Sequence, residues 1–231
     1  MSNIQNPGEG PAFECSVVNA DTDKFELCRG LRAELDVGID PYEQADAIVA
    51  TGFIYQSMDD LIEKIDQSGR VINWIRKQYE NGASIGASCS GTMLLAETGL
   101  LDGKTATTSW WANDFFKKRY PKIELQIERL LVTNGRLYTG GSVTSYLNII
   151  LSLIEKFAGK ELALSCSKMM LIDINRFYQA PFAMLQSILD HSDDIVTKAQ
   201  YWINEHLQEK IDLFELAGHF WYYVSYTYSK V

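Results

Sequence analysis

The chain has 231 residues, 46% hydrophobic and 12% aromatic, which suffices to bury one substantial core with a small appendage and excludes a disordered protein. A formal net charge of −9 excludes a nucleic-acid coat, which neutralises phosphates with clustered Lys and Arg, while leaving room for local basic patches. Cys15, Cys28, Cys89 and Cys166 lack CxxC spacing, and His191, His206 and His219 all follow residue 190, so the pattern offers no disulfide framework, no metal site and no imidazole local to the main domain.

Residues 1–11 are polar and rich in Gly and Pro and read as a loop. Residues 13–19 give a short strand pattern, and residues 25–39, with Leu27, Leu31, Leu35 and Val37, fit a hairpin or edge-strand pair. Residues 45–51, ADAIVAT, form the near-continuous apolar run of a parallel strand buried on both faces. The spacing of Leu61, Ile65, Ile72, Ile75 and Tyr79 predicts one helix over residues 59–79, stopped by Gly82. An apolar strand then runs into a tight turn, Ala87-Ser88-Cys89-Ser90-Gly91, and a helix carrying Met93, Leu94, Leu95 and Ala96. Strand and helix have by then alternated twice, which predicts an α/β protein with a mainly parallel sheet.

Past the stop at Gly99 and Asp102-Gly103, residues 105–111 read as a β-rich run and residues 114–119 as a short amphipathic helix. Residues 124–132 and 136–139 form a hairpin around Asn134-Gly135. Gly140-Gly141-Ser142 opens a helix over residues 143–157, apolar nearly all round and therefore expected to be buried, with Ser142 as its N-cap. A further helix over residues 160–174 carries Met169 and Met170 as core filler or dimer surface. A change of pattern between 176 and 190 divides the chain into domains at 1–180 and 181–231. In the second, Ile195, Ala199, Trp202, Ile203 and Leu207 recur at helical spacing, and Asp212 with Glu215 has the form of a capping box.

A cysteine on a sharp strand-to-helix turn is expected to lift its sulfur above the sheet edge, beside backbone N–H groups. The segment 83–111, ASIGASCSGTMLLAETGLLDGKTATTSWW, resembles the cysteine elbow of the ThiJ/PfpI domains (class I glutamine amidotransferase-like) that form the N-terminal half of many AraC-type transcriptional regulators. The likeness extends more loosely from about residue 13 to about residue 220, where DLFELAGHF resembles a helix leading into the turn of an AraC-type helix-turn-helix. It implies a flavodoxin-like α/β domain with helices on both faces of the sheet, followed by an incomplete all-α helix-turn-helix remnant, in a chain truncated at both ends. It further implies a homodimer that senses a small-molecule effector, with no cofactor or metal; the lack of a signal peptide and of an apolar run of membrane-spanning length reads as a cytoplasmic chain with no membrane partner. Operator DNA is the partner of the intact regulator rather than of this chain, since residues 191–231 carry six acidic and three basic side chains.

The expected effector contacts are Cys89, Ser90, Gly91, Gly141 and Ser142. In enzymes of the superfamily the cysteine attacks an electrophile with help from a histidine and an acid, because a thiol needs a base or dipole to ionise at neutral pH. The histidine position is here Ser109, and Asn148 stands where many regulator-type relatives carry Asp. These departures argue against turnover, with Cys89 as the candidate nucleophile should the chain prove instead to be a hydrolase, hydratase or glyoxalase-like enzyme.

Overall fold

The computed structural model describes residues 13–19 with β1 (Val18–Asn19), then β2 (Lys24–Glu26), β3 (Arg32–Glu34) and β4 (Val37–Gly38) with Ile39, residues 44–175 and 177–179, and isolated positions between 195 and 218. The chain divides into two compact units, Met1–Phe182 and Ala183–Val231.

The first unit is organised by a four-stranded sheet in the order β5-β6-β10-β9. It comprises β5 (Ala47–Ala50), β6 (Ser84–Ser88), β9 (Leu131–Asn134) and β10 (Leu137–Gly140). β5 and β10 flank β6 in parallel, with Ile48 and Leu137 both opposite Ile85, and β9 closes the described sheet antiparallel to β10. Period-two alternation sorts the side chains onto two faces. Ile48, Ala50, Ile85, Ala87 and Leu137 point into the main core, while Ala47, Val49 and Tyr138 pack on the other side with Ile149 and Leu153. Gly86 lies on that second face, where a Cβ would collide with Cγ2 of Ile149. β6 is buried at every position, whereas β5 is half-buried throughout, a departure from the two-sided burial its apolar run suggests; β5 is the edge of the described sheet.

The single helix expected over residues 59–79 is two, α1 (Met58–Gln67) and α2 (Gly69–Glu80). Ser68 breaks the ladder: its N–H donates to Ile65 O and its hydroxyl to Lys64 O at 2.6 Å, and the chain restarts at Gly69. Both halves keep their apolar stripe on the core through Leu61, Ile65, Ile72 and Ile75. Gln78 is buried and its carbonyl accepts the Ala45 N–H at 2.8 Å, which ties α2 to the entry of β5.

α3 (Gly91–Glu97) follows β6 and is buried from Gly91 to Ala96. The β-rich run at 105–111 contracts to β7 (Thr105–Ala106), paired in parallel with β8 (Glu124–Leu125), so the start of the expected hairpin belongs to a different ladder. The hairpin itself joins β9 to β10 with Asn134 opposite Leu137, which makes Gly135-Arg136 the two-residue loop, one residue later than the Asn-Gly signal suggests. Gly135 supplies the positive φ of 62°. α4 (Asn113–Arg119) is fixed to α3 by Glu97, whose Oε1 accepts from Arg119 Nε at 2.7 Å and from the Tyr120 hydroxyl at 2.8 Å. Burial, reinforced by that carboxylate, pushes the Tyr120 phenol above its ordinary range.

α5 (Tyr146–Ala158) covers the second face of the sheet, and α6 (Lys160–Met169) packs against α5. α5 buries Ile149, Leu151 and Leu153 but exposes Tyr146, Ile150 and Phe157, with Val143 just before it, so it is not buried all round. Sheet and α6 occupy two sides of the helix, and the third stays open among the described residues. Met169 and Met170 are exposed and do not fill the core.

Past α6 the chain closes a Schellman motif: Leu171 N–H bonds Lys168 O and Ile172 N–H bonds Ser167 O at 2.9 Å. That motif places Leu171 at φ 54°, a glycine conformation, with its side chain 92% exposed. Leu171→Gly therefore relieves backbone strain without losing buried area and should stabilise the domain by about 1 kcal/mol, read as a higher urea midpoint at unchanged m-value.

In the second unit Ile195, Lys198, Ala199, Trp202 and Ile203 are helical and half-buried, and His206 stacks on Trp202 at 4.1 Å between ring centroids. Leu207, Asp212, Glu215 and the aromatic terminus lie outside the described residues. No helix among the described residues is long and apolar enough to cross a membrane.

Candidate functional site

β6 is parallel to both its neighbours, and the loops leaving the C-terminal ends of β5, β6 and β10 meet there, the place where open α/β sheets form their clefts. Cys89 occupies the turn between β6 and α3 with φ 55°, the left-handed conformation that a bulky residue adopts only under constraint. Three hydrogen bonds supply that constraint. Cys89 N–H extends the β6–β10 ladder to Gly140 O at 3.2 Å, and Cys89 O accepts from Thr92 N–H at 3.2 Å and from the Thr108 hydroxyl at 3.2 Å.

The sulfur is less open than an elbow residue's position suggests, since Cys89 is only 8% exposed. The segment leaving β5 folds over it. A Cβ on Gly52 would stand 3.3 Å from Cys89 Sγ and 3.0 Å from Ser90 Oγ. Ser90 fastens this cover from beneath: its hydroxyl donates to Phe53 O at 3.1 Å and accepts the Phe53 N–H at 2.8 Å. Gly91 completes the contact, because its Cα faces the carbonyls of Ala50 and Thr51. At the outer edge Trp111 Nε1 donates to the Tyr55 hydroxyl at 2.8 Å, joining the loop after β5 to the one after β7. Trp111 is itself 44% exposed.

The opposite wall is made by Gly140, Gly141 and Ser142. Gly140 leaves room for Ser145 and Ile149; Ser145 Oγ accepts the Ser142 N–H at 3.1 Å and fixes the start of the helix. The segment after Gly141 caps a 3-10 turn, Val143–Ser145, rather than α5 directly.

Gly141 has a different neighbour. A Cβ there would be 2.5 Å from Cδ and 2.6 Å from Oε1 of Gln179, so the Gln179 amide lies flat against its backbone. Gln179 is 1% exposed and its Nε2 donates to Thr108 O at 2.8 Å and Ile127 O at 2.6 Å. Its main chain is pinned as well: Gln179 N–H bonds Glu128 O, Leu130 N–H bonds Phe177 O, and Tyr178 bridges Arg129. Residues 177–179, just before the boundary read at 180, thus form an added edge on the first unit. Nothing in periodicity marked Gln179; the one available signal is an uncharged polar residue just before Ala-Pro.

The side chains described around the elbow carry hydroxyl, amide and thiol groups. Ser109 is 1% exposed beside this junction. The first unit contains no histidine, so Cys89 has no imidazole partner within it.

A family model described as DJ-1/PfpI matches residues 9–156. The HTH-type transcriptional regulator CdhR of Pseudomonas aeruginosa is 27% identical over 166 residues, 71% of this chain and 47% of the regulator. The isonitrile hydratase of Pseudomonas putida is 30% identical over 95 residues, 41% of this chain and 40% of the hydratase. Among solved structures, an AraC family transcriptional regulator from Pseudomonas putida superposes with a TM-score of 0.54 at 14% identity, covering 73% of this chain and 85% of that one, a likeness of fold. The chain spans about half the length of the curated relatives it matches.

Proposed function

The chain belongs to the DJ-1/PfpI family, and from that premise we propose that it is the effector-sensing part of an AraC-type transcriptional regulator that binds a small metabolite at the Cys89 elbow without converting it. The observation that carries this reading is the combination of a fully formed elbow, with Cys89 at φ 55°, and a serine at position 109 in a unit that has no histidine. The elbow's backbone and hydroxyl groups support holding a ligand, while no histidine in the unit offers the thiol an imidazole base. Similarity to the regulators CdhR and GbdR supports the same class. The exposed apolar stripe of Val143, Tyr146, Ile150 and Phe157 supports a homodimer. The acidic balance after residue 190 supports an absence of specific DNA binding by this chain alone.

The test is a thermal shift of the purified chain across a metabolite panel, since a ligand favouring the folded state raises apparent stability by mass action. A compound that raises Tm in the wild type and loses most of that effect in Cys89→Ser, and that is recovered chemically unchanged, is the expected result. A sequence-selective, salt-sensitive mobility shift by this chain alone would contradict the DNA part of the reading.

A second reading, a cysteine hydratase or hydrolase, is favoured by the match to isonitrile hydratase and by the strained elbow itself. Turnover of a small electrophile that Cys89→Ser abolishes would establish it in place of the first.

A further inference from the structure

Two buried side-chain oxygens beside the elbow have no hydrogen-bond partner: Ser109 Oγ and Gln179 Oε1. Both residues are 1% exposed, and a buried polar atom left unpaired costs free energy unless something occupies the place opposite it. The Gln179 amide cannot be turned over to cure this. Its nitrogen is identified by the two carbonyls it serves, Thr108 O and Ile127 O, which accept and cannot donate. The planar amide therefore holds Oε1 away from them, while its face, Nε2 and Oε1 alike, lies on the Cα of Gly141. Ser109 is covalently next to Thr108, the residue that receives the Gln179 amide through its carbonyl and donates its own hydroxyl to Cys89 O. One residue thus connects both orphan oxygens to the elbow turn, and the two do not pair with each other.

We propose that Ser109 Oγ and Gln179 Oε1 form a donor–acceptor subsite beside Cys89 that takes the primary amide, or an equivalent paired N–H and C=O, of a small neutral ligand. Gln179 Oε1 receives the ligand's N–H and the Ser109 hydroxyl donates to its carbonyl. The serine then has a use of its own: it fills the space of a base with a short neutral donor, which suits holding a ligand. The inference rests on the elbow being a ligand site, and names the chemistry that site selects.

Two neutral alkylating probes of similar size distinguish donors from non-donors. Iodoacetamide carries an N–H₂ group and methyl iodoacetate does not; with each the cysteine sulfur forms a bond to the CH₂ carbon as iodide leaves. Rates at Cys89 are followed by peptide mass mapping, with exposed Cys15 of the same molecule as the internal reference for intrinsic reactivity. The iodoacetamide preference at Cys89 should exceed that at Cys15 by about fivefold, the size of one uncharged hydrogen bond, and Gly141→Ala, which displaces the Gln179 amide, should return it most of the way to the Cys15 value. Ser109→Ala, which removes the donor to a carbonyl that both probes carry, should slow both at Cys89 and leave the preference in place. Equal preference at the two cysteines in the wild type overturns the subsite, as does a preference that survives Gly141→Ala or a Ser109→Ala variant that alkylates Cys89 as fast as the wild type. If Cys89 reacts with neither probe, Tm is compared in acetamide and methyl acetate at equal concentration, and equal shifts overturn it. An equal preference in a protein whose metabolite-induced thermal shift is intact would remove the subsite alone, whereas a selective preference without any metabolite response would remove the regulator reading alone.

Discussion

Gly91→Ala should lower the unfolding free energy by about 3 kcal/mol, measured as a lower urea midpoint at unchanged m-value. Alanine is normally the better helix residue, so intrinsic propensity alone predicts the opposite sign. Position decides here. A Cβ on Gly91 collides with Ala50 O and stands 2.7 Å from Thr51 O and 2.9 Å from Thr51 C. These are main-chain atoms at the exit of β5, whose last residue, Ala50, pairs with Ala87 of β6, and they cannot rotate aside as a side-chain tip would. The displaced segment is also the one that Ser90 fastens over Cys89 through Phe53, so the lost stability should be accompanied by faster alkylation of Cys89. Gly69→Ala is the control. Nothing lies within 4 Å of its added Cβ at the start of α2, and it should be neutral or stabilising by up to about 1 kcal/mol. If Gly91→Ala behaves like Gly69→Ala, the close approach of the β5 exit to α3 is not what requires the glycine.

The α/β class and the elbow were legible in the sequence because both are written in local patterns. β6 and α3 put strand and helix on either side of a Ser-Cys-Ser-Gly turn, and the alternation of such units fixes a mainly parallel sheet. What stayed hidden is what depends on partners distant in the chain. The break at Ser68 leaves no mark on the apolar periodicity, since α1 and α2 present one continuous stripe to the same core. The apolar run of α5 gives no hint that its Tyr146, Ile150 and Phe157 side would remain uncovered among the described residues. The neighbours of the glycines were not legible either: Gly52 meets Cys89, Gly91 the exit of β5, and Gly141 a glutamine 38 positions later. Ser109 was noticed for the histidine it replaces rather than for the unpaired oxygen it buries.

Gly141→Ala tests the last of these contacts and should cost about 2 to 3 kcal/mol, for a reason unlike that at Gly91. The clash is with the amide of Gln179, a movable group, so the cheapest response is ejection of that side chain. Ejection leaves the carbonyls of Thr108 and Ile127 without their donor at a site where Gln179 excludes water, and an unmade buried hydrogen bond costs more than a made one contributes. It also loosens the short edge formed by Tyr178 against Arg129, four residues before the first unit ends at Phe182. Hydrogen exchange should therefore rise first at the Gln179 and Leu130 amides, which bond Glu128 O and Phe177 O, while the β6 amides stay protected. Gln179→Ala removes the same donor without the clash. A similar loss in both variants, with no further loss when they are combined, would identify the glutamine amide as the whole of the interaction at Gly141. A larger loss in the double variant would mean instead that the added methyl distorts the β10–α5 connection itself. Because the same residues carry the chain out of the first unit, a ligand that engages Gln179 Oε1 would tighten this edge, and loss of the contact would remove both ligand selectivity and edge protection in one step.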